Sequence, residues 1–205
     1  MNEIIEILKK VGAVIENDHF VGTSGLHFGT YINKDFLYVH TEETSNICKM
    51  MAEQQKDKKI DIVVGPALGG IILSQWVAYH LSKFSGQEVL GVYTEKTPEG
   101  GQSFTRGYDK FVKDKKILIV EDLTTTGGSV KKVIEAVKNA GGDLIGISVM
   151  VNRNPKLVSG EIFGVPFQSL GQYEIPTYEK KDCPMCKAGI PMNTKVGHGK
   201  KFFRK

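Results

Sequence analysis

The 205-residue sequence has little cysteine and almost no tryptophan, with 3 residues of the first and 1 of the second. Three cysteines, an odd number, do not suit the paired framework that stabilises small secreted proteins, so we expect a reducing, cytoplasmic setting. No stretch approaches the ~18 apolar residues that indicate a membrane span. The opening MNEIIEILKK lacks the basic region and apolar core of a signal peptide. We therefore expect no membrane association and no export.

An excess of one charge is also missing, since 27 basic and 23 acidic residues leave a formal charge of +4. This charge could favour polyanionic substrates, but it is poor support for a nucleic-acid surface, and no nucleic-acid-binding motif is present. Internal repeats and low-complexity segments are absent from the sequence as well. The length suits one domain with a substantial core, so we expect a single domain over residues 1–205.

Helical and strand patterns alternate along the middle of the chain. The predicted helices cover 3–15, 42–57 (beginning at Thr41), 71–84 and 130–140. The predicted strands cover 60–64, 88–94, 117–120 and 144–151. This alternation predicts an α/β fold with a central parallel sheet flanked by helices. Two segments break the pattern: His19–His40, which has a turn-rich centre, and the tail from about Gly171. We expect a small hood, formed by about 1–40 and 171–205, over the ligand edge of a core at about 41–170.

The most informative segment is ILIVEDLTTTGGS, from Ile117 to Ser129. An apolar strand leads into Glu121 and Asp122, then into a threonine- and glycine-rich loop that opens a helix. Unpaired amides at a helix start favour phosphate, and the glycines allow close approach of the backbone. Carboxylates suit ribose hydroxyls, or a Mg²⁺ shared with phosphates. Simple helix capping is the alternative, but a cap requires one such residue rather than a cluster.

This segment resembles the signature by which type I phosphoribosyltransferases bind 5-phosphoribosyl 1-diphosphate (PRPP). The resemblance implies a Rossmann-like α/β fold with a hood, and Mg²⁺ as cofactor. It implies that Glu121 and Asp122 hold the ribose 2- and 3-hydroxyls, with Asp122 also catalytic. It implies a 5-phosphate site at Thr125–Ser129. The full implied PRPP-binding set in this segment is Glu121, Asp122, Leu123, Thr124, Thr125, Thr126, Gly127, Gly128 and Ser129.

A second glycine-rich loop, GPALGG from Gly65 to Gly70, follows the predicted strand at 60–64. Alone it is equally well interpreted as an ordinary turn. Beside the PRPP signature it resembles the diphosphate loop of the same enzymes, which places Ala67, Leu68 and Gly69 against the diphosphate. Some relatives have a lysine at the position of Gly69, so here the contacts would fall to backbone amides and other side chains.

The segment Thr94–Lys116 is long, basic and glycine-rich, which is typical either of a functional lid or of a solvated flexible loop. A lid would stabilise leaving-group charge and exclude water. The resemblance implies that Lys96 contacts PRPP and that Lys96 and Arg106 act in catalysis. Lys110 and Lys113 are further lid candidates. Related lids contain a histidine that this segment lacks.

Three features resemble the orotate phosphoribosyltransferases in particular. They are FVGTSGLH at 20–27 followed by Tyr31-Ile32-Asn33, the Arg153 that follows a strand, and the order of the segments. The resemblance implies that Arg153 binds the orotate carboxylate, for which a guanidinium is suited, and that Thr125 completes the base site. It also implies a homodimer. A surface salt bridge is the alternative for Arg153, and the lysine that many members have near Thr23 is missing.

Two other functions stay open at this point. One is transfer to a different base, a purine or uracil. The other is a PRPP-binding regulator without turnover, which the lid without a histidine and the missing lysine keep plausible. A panel of bases distinguishes these three functions.

The C-terminal Cys183-Pro-Met-Cys186 is a possible zinc-binding pair, with a similar tail in a subgroup of the orotate enzymes. Four ligands are needed for a closed site, and His198, His40 or a second subunit could supply the others. A redox pair and two free thiols are the alternatives. No base partner stands at triad spacing from His19, His27 or His198, so we assign none of them nucleophilic work.

Overall fold

The computed structural model describes residues 3–22, 24–197 and 199–202. The helices are α1 Glu3–Lys10, α2 Asp35–Tyr38, α3 Thr41–Glu53, α4 Gly69–Ser85, α5 Asp109–Val112, α6 Gly128–Asn139, α7 Pro184–Lys187 and α8 Gly199–Phe202. The strands are β1 Val14–Ile15, β2 Phe20–Val21, β3 His27–Phe28, β4 Tyr31–Ile32, β5 Ile62–Pro66, β6 Leu90–Lys96, β7 Gln102–Ser103, β8 Lys116–Thr124, β9 Asp143–Asn152 and β10 Phe167–Gln172. Among these helices, none has the length and apolar character needed to cross a membrane.

A six-stranded sheet in the order β10-β9-β8-β5-β6-β7 forms the centre of the fold. All neighbouring strands are parallel except β6 and β7, which form an antiparallel edge. Helices α1, α3 and α4 pack in one hydrophobic cluster, and α6 packs in a second cluster. The predicted α/β class, with a parallel sheet flanked by helices, is confirmed.

The alternation of side chains along the central strands explains this arrangement. Val63 and Leu118 belong to the cluster of α3 and α4, whereas their neighbours Ile62, Val64 and Ile119 belong to the cluster of α6. Successive residues of a strand point to opposite faces of the sheet, so both faces of β5 and β8 are apolar. This accounts for the uninterrupted apolar runs in these strands. A strand with one face in water would instead alternate apolar and polar residues.

Some element bounds differ from the sequence predictions. The predicted helix at 3–15 is wrong beyond Lys10, because Gly12 has a φ of 71° and Val14–Ile15 pair with β4. Strand β10 was not predicted, since FQSLGQ has few apolar residues and its edge position leaves most of it partly exposed. The predicted loop at 94–116 is wrong in part: β6 extends to Lys96, and the segment contains β7 and α5.

The N-terminal and C-terminal segments pair with each other. Two short hairpins, β1 with β4 and β2 with β3, lie in the N-terminal segment. His27 and Tyr178 then form an antiparallel bridge with hydrogen bonds of 2.8 Å in both directions, and the Asn193 amide donates to the His19 carbonyl at 2.7 Å. Hydrogen bonds therefore join the two segments to each other, while α1 packs in the main hydrophobic cluster.

The order of the sheet creates a switch point between β5 and β8. From β5 the chain crosses through α4 to β6 on one side, and from β8 it crosses through α6 to β9 on the other. The loops after β5 and β8 consequently separate at the carboxyl edge of the sheet. In open α/β sheets such a crevice is where ligands bind.

Glycine is required where β5 ends and α4 begins. A Cβ on Gly65 would lie 2.2 Å from the carbonyl oxygen of Gly70, and a Cβ on Gly70 would lie 2.7 Å from the carbonyl carbon of Gly65. The two backbone segments touch, so a side chain on either residue would push the loop at 66–69 away from the sheet.

We predict that Gly70→Ala lowers the free energy of unfolding by roughly 3 kcal/mol, because backbone atoms cannot yield to the new methyl group. Gly128→Ala is the matched control, since it also changes the first turn of a helix but brings the new Cβ only to 3.4 Å from the Thr126 hydroxyl. Urea unfolding of both variants checks this. Equal stability of the two variants would contradict the close approach of β5 and α4.

Candidate functional site

A cleft of about 660 Å³ opens at the carboxyl edge of the sheet, at the switch point between β5 and β8. Its lining residues are Lys34, Asp35, Pro66, Ala67, Leu68, Gly69, Glu95, Lys96, Gln102, Glu121, Asp122, Leu123 and Ser129. Eight of the residues expected to bind ligand line it, which are Ala67, Leu68, Gly69, Lys96, Glu121, Asp122, Leu123 and Ser129. The structure therefore brings the two predicted loops and Lys96 to one cleft.

The two acids at the end of β8 are both buried, with 6% of each residue exposed. Asp122 Oδ2 accepts a hydrogen bond of 2.9 Å from the Tyr38 hydroxyl and lies 3.3 Å from Lys34 Nζ. Its Oδ1 accepts from the Leu123 amide at 2.7 Å. Glu121 Oε1 accepts only the Asp122 amide, at 3.0 Å, within the described residues. Asp122 thus has a cation beside it, whereas Glu121 has a backbone donor.

These surroundings set the protonation of the cleft. Burial, and then repulsion from Asp122, raise the pKa of Glu121 well above its usual range. Burial alone would lower the pKa of Lys34, but attraction to Asp122 and the hydrogen bond to Asp35 outweigh it and raise that pKa. Burial, and then the charge of Asp122, raise the pKa of the Tyr38 phenol, which keeps it a hydrogen-bond donor. The cleft therefore places a positive charge beside Asp122 and disfavours a negative charge on Glu121.

The sequence did not indicate Lys34 or Tyr38. Both precede α3 and lie more than eighty positions from Asp122 along the chain. No local motif marks such a pair, because only the folding of this segment over the sheet edge brings it to the cleft.

Hydrogen bonds hold the loop after β8 to the start of α6. Gly127 has a φ of 74°, and a Cβ there would lie 2.9 Å from the Phe163 ring, so glycine is required at this position. The Thr124 hydroxyl accepts from the Gly127 amide at 3.2 Å, and the Thr126 hydroxyl accepts from the Gly128 amide at 3.4 Å. The side chains of Thr125, Thr126 and Ser129 remain exposed. Thr124 and Thr126 therefore hold the loop by hydrogen bonds to its own amides. Thr125, Thr126 and Ser129 are accessible to a ligand.

Arg153 follows β9 beside this loop. Its amide donates to the Thr124 carbonyl at 2.8 Å, and its guanidinium carbon lies 5.6 Å from the centre of the Phe28 ring. Its buried Nε has no hydrogen-bond partner, and no acid of the described chain forms an ion pair with it. Burial lowers the pKa of Arg153, against a smaller opposing effect of Tyr31. The salt-bridge alternative is thus not what the described structure contains.

The residues of the basic segment are separated in space. Lys96 lines the cleft, but Arg106 turns back to Glu95, with 3.4 Å between Nη2 and Oε1, and the Thr105 hydroxyl donates to the same carboxylate. Lys110 is exposed on α5. Lys113 lies beside Gly141, just before β9 begins and so at the opposite edge of the sheet. A Cβ on Gly141 would be 3.5 Å from Lys113 Cγ. The structure therefore brings only Lys96 of this group into the cleft.

The predicted cysteine pair lies in and beside α7, next to His19 and His27 rather than in the cleft. His40 is exposed at the start of α3, apart from this group. The expectations that concern Thr23 and His198 fall on positions outside the described residues.

Comparisons with known proteins agree with this geometry. A family model described as phosphoribosyl transferase domain matches residues 38–159. The chain is 38% identical to an orotate phosphoribosyltransferase of Caldanaerobacter subterraneus subsp. tengcongensis, over 93% of this chain and 94% of the relative. It is 38% identical to one of Thermotoga maritima, over 97% of this chain and 100% of the relative. A crystal structure of the orotate phosphoribosyltransferase from Aeropyrum pernix has a TM-score of 0.66 and 27% identity, covering 82% of this chain and 93% of that one.

The family model spans strands β5 to β9 and the loops after β5 and β8, and the two relatives match nearly the whole chain. The acid pair, the threonine- and glycine-rich loop and the arginine after β9 lie inside the matched segment. The chain therefore belongs to the orotate phosphoribosyltransferase family.

Proposed function

We propose that this protein transfers the ribose 5-phosphate group of PRPP to orotate, which gives orotidine 5-monophosphate and diphosphate. The observation that carries this proposal is the position of Arg153. Its backbone amide donates to the Thr124 carbonyl, at the same sheet edge as the acid pair, and its buried Nε has no hydrogen-bond partner. An unpaired guanidinium in such a place is suited to an anionic group of a ligand, and orotate has a carboxylate.

The layout of the cleft suits the donor. PRPP has a diphosphate on C1 and a phosphate on C5 of one ribose, so it needs two anion sites with a diol site between them. A Cβ on Gly69 would lie 2.1 Å from Asp122 Oδ2, which means that the diphosphate loop directly adjoins the acids. We assign the ribose hydroxyls to Glu121 and Asp122, and the 5-phosphate to Thr125–Ser129.

We further assign the diphosphate to Ala67, Leu68 and Gly69, and include Leu123 and Thr124 in the PRPP site. Orotate would lie between Arg153 and Thr125. Backbone amides are the donors that the glycine-rich diphosphate loop can offer, because it contains no lysine. Two cations of the cleft are then available to the diphosphate: Lys96, and Lys34, whose Nζ would lie 3.2 Å from a Cβ on Gly69.

Mg²⁺ fits the donor set of the cleft, because the carboxylate oxygens of Glu121 and Asp122 are ligands of the kind it prefers, used together with substrate phosphates. When bound, the ion would supply positive charge to the diphosphate oxygens. The residues of the chain then orient the ribose between the two anion sites and shield C1 from water.

The reaction itself requires little acid–base chemistry from the protein. The ring nitrogen of orotate is readily ionised; it forms the bond to C1 while the bond from C1 to the diphosphate oxygen breaks. Lys96 stabilises the charge that develops on the diphosphate, and Asp122 holds the ribose while C1 becomes positive. Arg106 could join only after leaving Glu95, and an exposed ion pair of this kind is weak enough to exchange.

Lys34 and Tyr38 prepare Asp122 for the donor. They hold its carboxylate at hydrogen-bond and ion-pair distance in the free cleft. Donor hydroxyls that reach Asp122 would replace the Tyr38 hydroxyl, while Lys34 stays at ion-pair distance from the acid. We assign both residues a positioning role.

We also propose a homodimer in the cytoplasm, with PRPP and orotate as small-molecule substrates and with neither nucleic acid nor membrane as a partner. The family resemblance supports the dimer, and three free cysteines support a reducing compartment. Sedimentation velocity tests the dimer, and a fully active monomer would contradict it.

The assay that tests the function follows loss of orotate ultraviolet absorbance with PRPP and Mg²⁺, beside uracil, hypoxanthine and adenine. We expect consumption of orotate that depends on PRPP. Turnover of another base only would reassign the specificity. PRPP binding without any turnover would favour the regulator.

We predict that Arg153→Ala raises KM for orotate by about tenfold to a hundredfold, the worth of a hydrogen bond to a charged group, with PRPP affinity retained. Arg153→Lys should have an orotate KM between those of the unmodified protein and Arg153→Ala, because lysine keeps the charge but lacks the planar guanidinium. Lys156→Ala is the control, since Lys156 is an exposed neighbour paired with Glu174. Initial rates and calorimetric PRPP titration measure both effects, and an unchanged orotate KM in Arg153→Ala would refute this role.

We predict that Glu121→Gln raises Tm by a few degrees at neutral pH yet weakens PRPP binding. The pKa of Glu121 is raised in the folded state, so folded stability falls as pH rises from the ordinary glutamate range through that raised pKa. Glutamine removes this loss, so the gain in Tm should be small near pH 4, grow with pH and plateau above the raised pKa.

Thermal melts across pH, with and without PRPP, measure this difference. Glu135→Gln, an exposed position on α6, is the control and should change neither quantity. A Tm gain that shrinks as pH rises would show that Glu121 is not a destabilising buried acid.

A further inference from the structure

A second group of reactive side chains lies outside the cleft and has no part in the proposed reaction. His19, His27, Cys183 and Cys186 each direct one ligand atom to a common point, and these atoms all lie within 4.8 Å of one another. The first three are buried and Cys186 is half-buried. His19 immediately precedes β2 and His27 begins β3, whereas the two cysteines lie at the start of α7 and within it. Convergence of separated chain segments on one point is typical of a metal site.

The distances suit a tetrahedral zinc ion. Sulfur lies 3.7 Å from His19 Nε2 for both cysteines, and Cys186 Sγ lies 3.5 Å from His27 Nδ1. Zinc bonds of about 2.3 Å to sulfur and about 2.0–2.1 Å to nitrogen place tetrahedral sulfur and nitrogen ligands about 3.5–3.6 Å apart. The two ring nitrogens lie 2.7 Å apart, so they would separate by about 0.7 Å on binding.

Hydrogen bonds around the group orient the ligand atoms. His19 Nδ1 lies 2.7 Å from the Ile190 carbonyl oxygen, so a proton on Nδ1 leaves the lone pair of Nε2 directed at the cysteines. Metal-binding histidines commonly have such a partner on the other ring nitrogen. The Cys186 amide also donates to Cys183 Sγ at 3.4 Å, which fixes the position of that sulfur.

We propose that His19, His27, Cys183 and Cys186 bind one Zn²⁺ in a closed structural site. Two thiolates balance the charge of the ion, and four protein ligands leave no open position for catalysis. The two histidines that complete the CxxC pair are thus His19 and His27, in place of the candidates His40 and His198. A disulfide would use only the two sulfurs and would leave the convergence of both imidazoles without a purpose.

The site would fasten the C-terminal segment to the N-terminal hairpin. More than 150 positions separate the histidines from the cysteines, so the ion closes a very long loop and its binding energy adds to folding. His27 is followed by Phe28, whose ring contacts the guanidinium of Arg153. If the proposed function holds, zinc also fixes the wall of the orotate site; zinc binding itself does not depend on that function.

Metal content of the protein purified under reducing conditions is the first test. We expect about one zinc per chain by mass spectrometry of the metal, as for a closed four-ligand site. After removal of zinc, Co²⁺ should give the intense visible bands of a tetrahedral site and a near-ultraviolet thiolate-to-cobalt band. A metal-free protein with a weak octahedral cobalt spectrum, or with a Cys183–Cys186 disulfide, would overturn the proposal.

Variants then locate the ligands. Cys183→Ser, Cys186→Ser and His27→Ala should lose stoichiometric metal. Cys48→Ala, His40→Ala and His198→Ala should retain it. Loss of metal in His40→Ala or His198→Ala together with retention in His27→Ala would overturn the assignment. If the ligand variants fail to fold, the cobalt spectrum of the unmodified protein still decides.

The link to the orotate site has its own readout. Removal of zinc should raise KM for orotate severalfold and leave PRPP affinity nearly unchanged, because the ion supports Phe28 and not the cleft acids. Failure of the orotate assay with zinc bound would refute the function and leave the metal site standing. Zinc removal that weakens PRPP alone would refute the link.

Discussion

The parallel pairing of β8 with β9 is the constraint on which the site depends. It places Thr124 opposite Asn152 and lets the next amide, that of Arg153, donate to the Thr124 carbonyl. The acids on one strand and the arginine after the other therefore reach the same edge in fixed register. A shift of one residue would turn each of these side chains to the opposite face. Under the proposed function, the side chains that recognise donor and acceptor lie on or directly after strands, and the loops add backbone amides.

This arrangement is electrostatically unfavourable for Glu121 and Asp122. Two adjacent carboxylates at a buried strand end repel each other, and burial disfavours both charges. Lys34 and Tyr38 stabilise Asp122, but Glu121 has no cation of its own among the described residues, so part of the cost persists in the free protein. Uncompensated electrostatic repulsion of this kind is expected where a ligand later supplies the missing partners. Under the proposed function, the ribose hydroxyls and Mg²⁺ would supply these partners.

Local patterns predicted the sheet and the position of both glycine-rich loops, because strand, loop and helix follow each other within a few residues there. The roles of the second loop and of Arg153 were predicted from the family resemblance. They did not predict Lys34 or Tyr38, whose relation to Asp122 exists only after folding. The partners of the CxxC pair were missed for the same reason, since His19 and His27 carry no motif. The basic segment was mistaken for a structureless loop because its glycines conceal the pairing of Glu95 with Ser103, which is formed by backbone groups.

The most direct test of this account is a crystal structure with orotidine 5-monophosphate bound. The account predicts the base carboxylate on the Arg153 guanidinium, the ribose hydroxyls on Glu121 and Asp122, and the phosphate on the amides of Thr125–Ser129. A nucleotide bound with its phosphate at Ala67–Gly69, or with its carboxylate away from Arg153, would contradict the shared edge of β8 and β9 as the place where donor and acceptor meet.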